Sequence, residues 1–304
     1  MTPSPLSASF AKALEAAHDA AGSQNNPAST LYVVATPIGN LADISLRALH
    51  VLAKVDAVAC EDTRHTQQLL RAYGLDRPGS QLLAVHQHNE AEASQTVIAR
   101  LAQGERVAYV SDAGTPAISD PGARLVAAVR QAGYRVLPLP GASSVTTALS
   151  ASGMTGEDGF VFAGFLPSKS GERERAVQAL AQESRAVVLL EAPHRIEALA
   201  QALSVLGERR ITVGRELTKQ FEQIETVTAQ ALPGWLAEKP DRQRGEFVLV
   251  LHDAPVAASA GEGVRVLQML LPELPLKTAV KLAAEITGES KNELYDKALA
   301  LKNG

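Results

Sequence analysis

The sequence predicts an α/β protein built from two successive α/β domains and a small helical unit at the C-terminal end. Three observations lead there. From residue 31 onward short apolar runs alternate with amphipathic stretches, strand-like runs become denser after residue 153, and from 265 the pattern is purely helical. Strand and helix in alternation are what a largely parallel sheet with crossover helices leaves in a sequence.

Residues 1–30 are rich in Ala, Ser, Asn and Pro with weak periodicity, and are expected to be a disordered extension. The first domain is placed at 31–152. Its strands are "LYVVA" at 31, "DAVAC" at 56, "QLLAV" at 81, "RVAYV" at 106 and "RVLPL" at 135, with helical stretches between them. Gly74, Gly104 and Gly133 each follow one of those stretches, as C-cap glycines do. In the second domain, 153–252, the runs at 160, 186, 209, 223 and 245 read as strands of a mixed sheet. The small, unpatterned residues at 253–264 predict a linker. Beyond it Leu276, Ala279, Val280, Ala283 and Ile286 form an apolar stripe, Gly288 ends that helix, and Ser290 with Glu293 makes a capping box for the next.

Composition narrows the class. Hydrophobic residues make up 46% and charged residues 20% of the 304, which is globular usage. The longest apolar runs, such as "AVVLL" at 186, are far shorter than a bilayer span. The N-terminal stretch lacks the basic and continuous apolar regions of a signal peptide, so a cytoplasmic protein is expected. Cys60 is the single cysteine; at the end of an apolar run it reads as a packing residue. A net charge of −4 supplies no general attraction to nucleic acid, so any RNA contact must come from local patches.

Two loops directly follow predicted strands: "TPIGNLADIS" at 36–45 and "SDAGTPAISDPG" at 111–122. In open α/β sheets ligands bind beyond the carboxyl ends of the strands, where both would lie. Gly39, Ala113 and Gly114 allow close backbone approach, and "PGASS" at 140–144 adds the hydroxyls of Ser143 and Ser144 at a helix start. Neither loop has the spacing of a dinucleotide or triphosphate cradle.

Seven ordered segments then carry a specific resemblance: "LYVVATPIGNLADIS", "EDTRHT", "SDAGTPAISDPG", "PGASSVTTALSASG", "GFLPSK", "EAPHRI" and "RELTKQFE". Together they resemble the ribosomal RNA small subunit methyltransferase I family of the tetrapyrrole methylase superfamily. The resemblance implies two α/β domains of the tetrapyrrole methylase type with S-adenosyl-L-methionine in the cleft between them. It also implies 2′-O-methylation of cytidine 1402 in 16S rRNA, with rRNA or the small ribosomal subunit as partner, and a homodimer; no His or carboxylate spacing here matches a strong metal signature and the methyl donor needs no Lewis acid, so no metal is expected. The tail from 271 resembles that family's C-terminal extension. By the same resemblance Ile38, Gly39, Asp112, Ala113, Gly114, Thr115, Ile118, Ser143 and Ser144 hold the cofactor from the first domain. Leu190, Glu191, Leu217 and Thr218 close over it from the second. Tetrapyrrole methylases carry Gly-Asp-Pro where this chain has Gly114-Thr115-Pro116, which argues against precorrin-type substrates.

A ribose hydroxyl is weakly acidic, so a base or cation close to it would help. Glu61 and Asp62 after the second strand, and His88 and Asn89 after the third, could face one crevice and are the candidates for substrate handling; Glu61 and Asp62 also suit a helix N-terminus. Arg64, Lys169, Arg173, Arg175 and Arg195 are the candidates for phosphate contact. The C-terminal lysines 277, 281, 291 and 297 fit either an RNA surface or a solvated helix face. Two other functions stay open: a tetrapyrrole C-methyltransferase, and a noncatalytic RNA-binding assembly factor.

Overall fold

Apolar residues on both faces of the first five strands require helices on both sides of their sheet. The computed structural model, which describes residues 5–86, 88–119, 121–156, 158–254 and 262–303, shows that arrangement. The strands β1 (Thr30–Val34), β2 (Ala57–Cys60), β3 (Leu82–Ala84), β4 (Arg106–Val110) and β5 (Arg135–Leu139) form a parallel sheet in the order β3-β2-β4-β1-β5. Tyr32, Ala108 and Val110 face one core with α2 (Leu46–Lys54) and α3 (Thr63–Ala72). Leu31, Val107 and Tyr109 face the other, with α4 (Glu90–Ala102) and α5 (Ala123–Gln131). The chain leaves β1 and β4, neighbours in the sheet, toward opposite edges. Their carboxyl ends are therefore the switch point at which such sheets bind ligands.

The second sheet is mixed, as expected. It comprises β6 (Phe160–Gly164), β7 (Ala186–Glu191), β8 (Arg210–Arg215), β9 (Gln223–Thr228) and β10 (Phe247–Leu251), in the order β6-β7-β10-β8-β9. Only β6 and β7 run parallel. Alternation divides its side chains. Val187, Leu189, Phe247 and Leu249 pack under α8 (Ile196–Leu203) and α9 (Leu232–Ala237). Val188, Val248 and Val250 meet Val145 and Ala148 of α6 (Ser144–Ala151), and that apolar contact joins the two domains. The helix α7 (Ser170–Ala181) lies between β6 and β7 in sequence.

The N-terminal expectation needs correcting. Within 1–30, Pro5–Ala21 forms a helix, α1, that docks on α2 and α3. Ala17 is fully buried, and the Phe10 ring meets Tyr73 edge-on at 5.2 Å. Phe10, Ala13, Leu14, Ala17 and Ala21 repeat at helical spacing, so the small alanines hid a real apolar face. Deleting residues 1–24 should expose Tyr73 and Leu49 and cost about 2–3 kcal/mol of apolar burial. A thermal melt is expected to shift down by about 5 °C or more; an unchanged melt would show α1 to be dispensable.

The C-terminal unit is three helices, α10 (Glu262–Leu270), α11 (Leu276–Thr287) and α12 (Lys291–Asn303), packed on one another around Leu267, Ala279, Val280, Ala283 and Leu294. Gly288 caps α11 at φ 71, donating to the Ala284 carbonyl. Ile286, expected in the stripe, is 65% exposed, and Ala284 takes the inward position. Most of the expected linker, 255–261, lies outside the described residues. Among the described residues no helix is long and apolar enough to cross a membrane.

Candidate active site

The loops after β1 and β4 are tied together before they meet anything else. Thr36 and Gly114 exchange backbone hydrogen bonds of 2.9 and 3.0 Å, and Thr36 Oγ1 donates to the Ser111 carbonyl. Thr115 Oγ1 donates to the Ala142 carbonyl at 3.0 Å, which fixes the loop ahead of α6. The far end of the β4 loop is held by Glu90, whose buried carboxylate accepts from the backbone N–H groups of Gly122, Arg124 and Leu125 at the start of α5. The loops are thus rigid before any ligand arrives.

They form one wall of a cavity of about 350 Å³, a size that suits a small ligand. Ile38, Ala113, Gly114, Thr115, Ile118, Ser143 and Ser144 line it from the first domain. Leu190 and Glu191 line it from the second, together with Phe165, Ala192, Pro193, Glu246, Phe247 and Val248, none of which had been singled out from the sequence. Ser143 stands at the N-cap of α6, yet its hydroxyl makes no cap bond. Among the described residues no Lys or Arg lines this cavity, and its two ionisable side chains are Glu191 and Glu246.

A second cavity of about 400 Å³ adjoins it, lined by Gly39, Leu41, His65, Gln68, Asp112, Lys219 and others. Gly39 and Asp112 therefore face this neighbour rather than the first cavity. Asp112 Oδ1 accepts from the Asp62 backbone N–H at 3.2 Å. Leu217 is buried in the domain contact, and Thr218 takes a left-handed φ of 66 with its hydroxyl buried and without a hydrogen-bond partner.

Glu191 carries the deepest charge. Its side chain is wholly buried; Oε1 accepts from the Ala192 N–H at 2.9 Å and lies 3.0 Å from Arg195 Nε, an ion contact without the angle of a hydrogen bond. Arg195 also donates to the Leu166 carbonyl. It is the counter-charge of Glu191 and braces the cleft, with 23% of its side chain exposed.

The four substrate-handling candidates stand elsewhere. Asp62 is the N-cap of α3, accepting from the N–H groups of Arg64 and His65. Hydrogen bonds from the Arg64 side chain and from those backbone groups hold its carboxyl below the usual range. Asn89 closes a turn: Oδ1 accepts from the His86 N–H and Nδ2 donates to the Ala84 carbonyl. His88 is exposed with its ring 6.2 Å from that of His86, and Glu61 is half-buried. None of the four lines either cavity. Cys60 is buried, and burial pushes its thiol up to about 11, consistent with packing. Of the phosphate candidates, Arg64 and Lys169 are 88% and 80% exposed, in surface pairs with Asp62 and Glu172. Arg173 and Arg175 donate to carbonyls of Ser168 and Gly171. Among the described residues no three His, Cys, Asp or Glu side chains gather closely enough to share a metal ion.

Residues 30–233 match the family model of tetrapyrrole (corrin/porphyrin) methylases. Residues 257–302 match a model described as the RsmI C-terminal HTH domain. A ribosomal RNA small subunit methyltransferase I of Pseudomonas aeruginosa is 49% identical over 278 residues, covering 90% of this chain and 97% of that one. Its counterpart in Escherichia coli O157:H7 is 46% identical over 281 residues, covering 91% and 97%. The chain belongs to the ribosomal RNA small subunit methyltransferase I family. Its fold is shared with more distant methyltransferases. Cobalt precorrin-4 methyltransferase superposes with a TM-score of 0.54 at 19% identity, over 73% of this chain and 94% of that one. A uroporphyrin-III C-methyl transferase from Thermus thermophilus, complexed with S-adenyl homocysteine, gives 0.50 at 16%, over 73% and 97%. The family also explains the C-terminal helical unit, which its C-terminal model covers.

Proposed function

We propose that this protein transfers the methyl group of S-adenosyl-L-methionine to the ribose 2′-hydroxyl of cytidine 1402 in 16S rRNA, acting as a homodimer on the rRNA or the small subunit. One observation carries the cofactor reading: among the described residues, the cavity between the domains has apolar walls, backbone edges, three serine hydroxyls and two carboxylates, and no basic side chain. Such a lining repels phosphate and suits a flat heterocycle joined to a cationic sulfonium. The cofactor would lie along Ala113, Gly114 and Thr115, under Ile38, with Leu190 and Leu217 on the far side. The relatives' names support rRNA as substrate. The exposed Arg64 and Lys169 can exchange their weak surface partners for phosphate at small cost.

The test is incubation of the protein with methyl-labelled cofactor and, separately, small subunits, free rRNA and a tetrapyrrole. Label is expected in rRNA within an alkali-resistant dinucleotide at position 1402, because a 2′-O-methyl group blocks hydrolysis of the adjoining phosphodiester. Label confined to mononucleotides would mean base methylation; label in the tetrapyrrole alone would reject the reading.

A further inference from the structure

Among the described residues three line both cavities, Ile38, Ala113 and Glu246, and of these only Glu246 ionises. If the first cavity takes the methyl donor and the second the target nucleoside, the reacting atoms meet at this seam. Among the described residues three carboxylates border the two cavities. Glu191 is buried against Arg195, and Asp112 is tied to the Asp62 backbone. Glu246 keeps 74% of its side chain exposed.

Its position is built with some care. Lys219 Nζ donates to Glu246 Oε2 at 3.1 Å and to Glu216 Oε1 at 2.9 Å, and the Glu246 backbone N–H donates to the same Glu216 oxygen at 2.9 Å. Burial opposes the Lys219 charge, but its hydrogen bonds to Glu216 and Glu246 outweigh that and hold the ammonium above the usual lysine range. Two residues of this turn, Glu216 and Thr218, take left-handed φ values of 51 and 66, a strained state that functional sites concentrate. Two glycines make the room. A Cβ on Gly39 would lie 2.3 Å from Lys219 Cγ, and one on Gly245 would lie 2.4 Å from Glu216 Cγ.

Resting on the ribose methylation proposed above, we propose that Glu246 accepts the 2′-hydroxyl proton, with Lys219 and Glu216 as positioning residues. The bond between the 2′-oxygen and the methyl carbon forms as the carbon–sulfur bond breaks, and the sulfur leaves as a neutral thioether. The hydroxyl becomes strongly acidic only as the oxygen–carbon bond forms, so a carboxylate is a sufficient acceptor. The exposed Glu246 then returns the proton to water. Lys219 keeps the carboxylate at the seam and has a third N–H to offer the second cavity.

Glu246→Gln retains shape and the acceptor for Lys219 while removing the basic oxygen. Calorimetry on the full-length protein is expected to give cofactor affinity within twofold of wild type, with a single-turnover rate on small subunits lower by about 100-fold or more. Glu246→Asp, which keeps a carboxylate one methylene short, should recover part of that rate. Lys219→Met should lose rate without losing cofactor. A Glu246→Gln rate within threefold of wild type would overturn the assignment. So would a fall in cofactor affinity that matches the fall in rate, since Glu246 would then hold the cofactor. A wild-type protein that leaves no label on ribose overturns the proposed function and this step together, whereas an active wild type beside an unimpaired Glu246→Gln overturns only the step.

Discussion

Gly114→Leu is expected to lower affinity for S-adenosyl-L-methionine by 100-fold or more while leaving a folded protein, as read by calorimetry and circular dichroism. Gly114 has φ 79, and its N–H and C=O are both bonded to Thr36, so the backbone cannot turn to relieve a side chain. A Cβ there would sit 3.1 Å from Ile38 Cγ2, and the rest of a leucine would occupy the cavity that Gly114 lines. The left-handed conformation alone costs about 1–2 kcal/mol. Gly104→Leu separates strain from site. Gly104 has φ 86 with open space around it, so its variant should carry similar strain and bind cofactor normally. Equal loss of binding in both variants, or undiminished binding in Gly114→Leu, would place the cofactor elsewhere.

Arg195→Ala is expected to be among the most destabilising single changes in the second domain. It leaves the Glu191 carboxylate, 0% exposed, without its counter-charge, and it removes the donor to the Leu166 carbonyl. Stripping one partner from a buried pair costs about 3–5 kcal/mol. Because 23% of the Arg195 side chain is exposed, the lower end applies. At a urea slope of about 1–3 kcal/mol per molar, the unfolding midpoint should fall by about 1 M or more. Glu191→Gln combined with Arg195→Met should recover much of the loss, because no charge is then left buried. A single Arg195→Ala variant with a wild-type midpoint would show that water reaches Glu191.

The first wall of the cleft was legible because it follows from local rules. Strand, loop and helix in sequence order place Ile38 and Gly114 at the carboxyl ends of parallel strands, and the glycine and prolines mark the loops as built rather than incidental. The other wall is not local. Glu246, Phe247 and Val248 reach the cleft only because β10 inserts between β7 and β8, and alternation in a strand says which faces differ without saying which strand is its neighbour. Asp62 and Asn89 were ambiguous for a related reason. Acids and amides at strand ends suit catalysis and caps equally, and here the backbone takes both side chains. The helix α1 was missed because alanines carry most of its buried face.

The order of strands in the second sheet also sets an order of events during synthesis. The first domain has all five of its strands once Leu139 has been made. In the second, β6 pairs with β7 and β8 with β9, and within the sheet these two pairs are joined by β10, the last of its strands in the chain. Until about residue 251 has been made the sheet lacks the strand that joins its two halves, and Glu246 and Phe247 are absent from the cleft. On the proposed reading cofactor capture needs the nearly finished chain, since a nascent fragment stalled short of that point would have one wall of the cleft with nothing to close it.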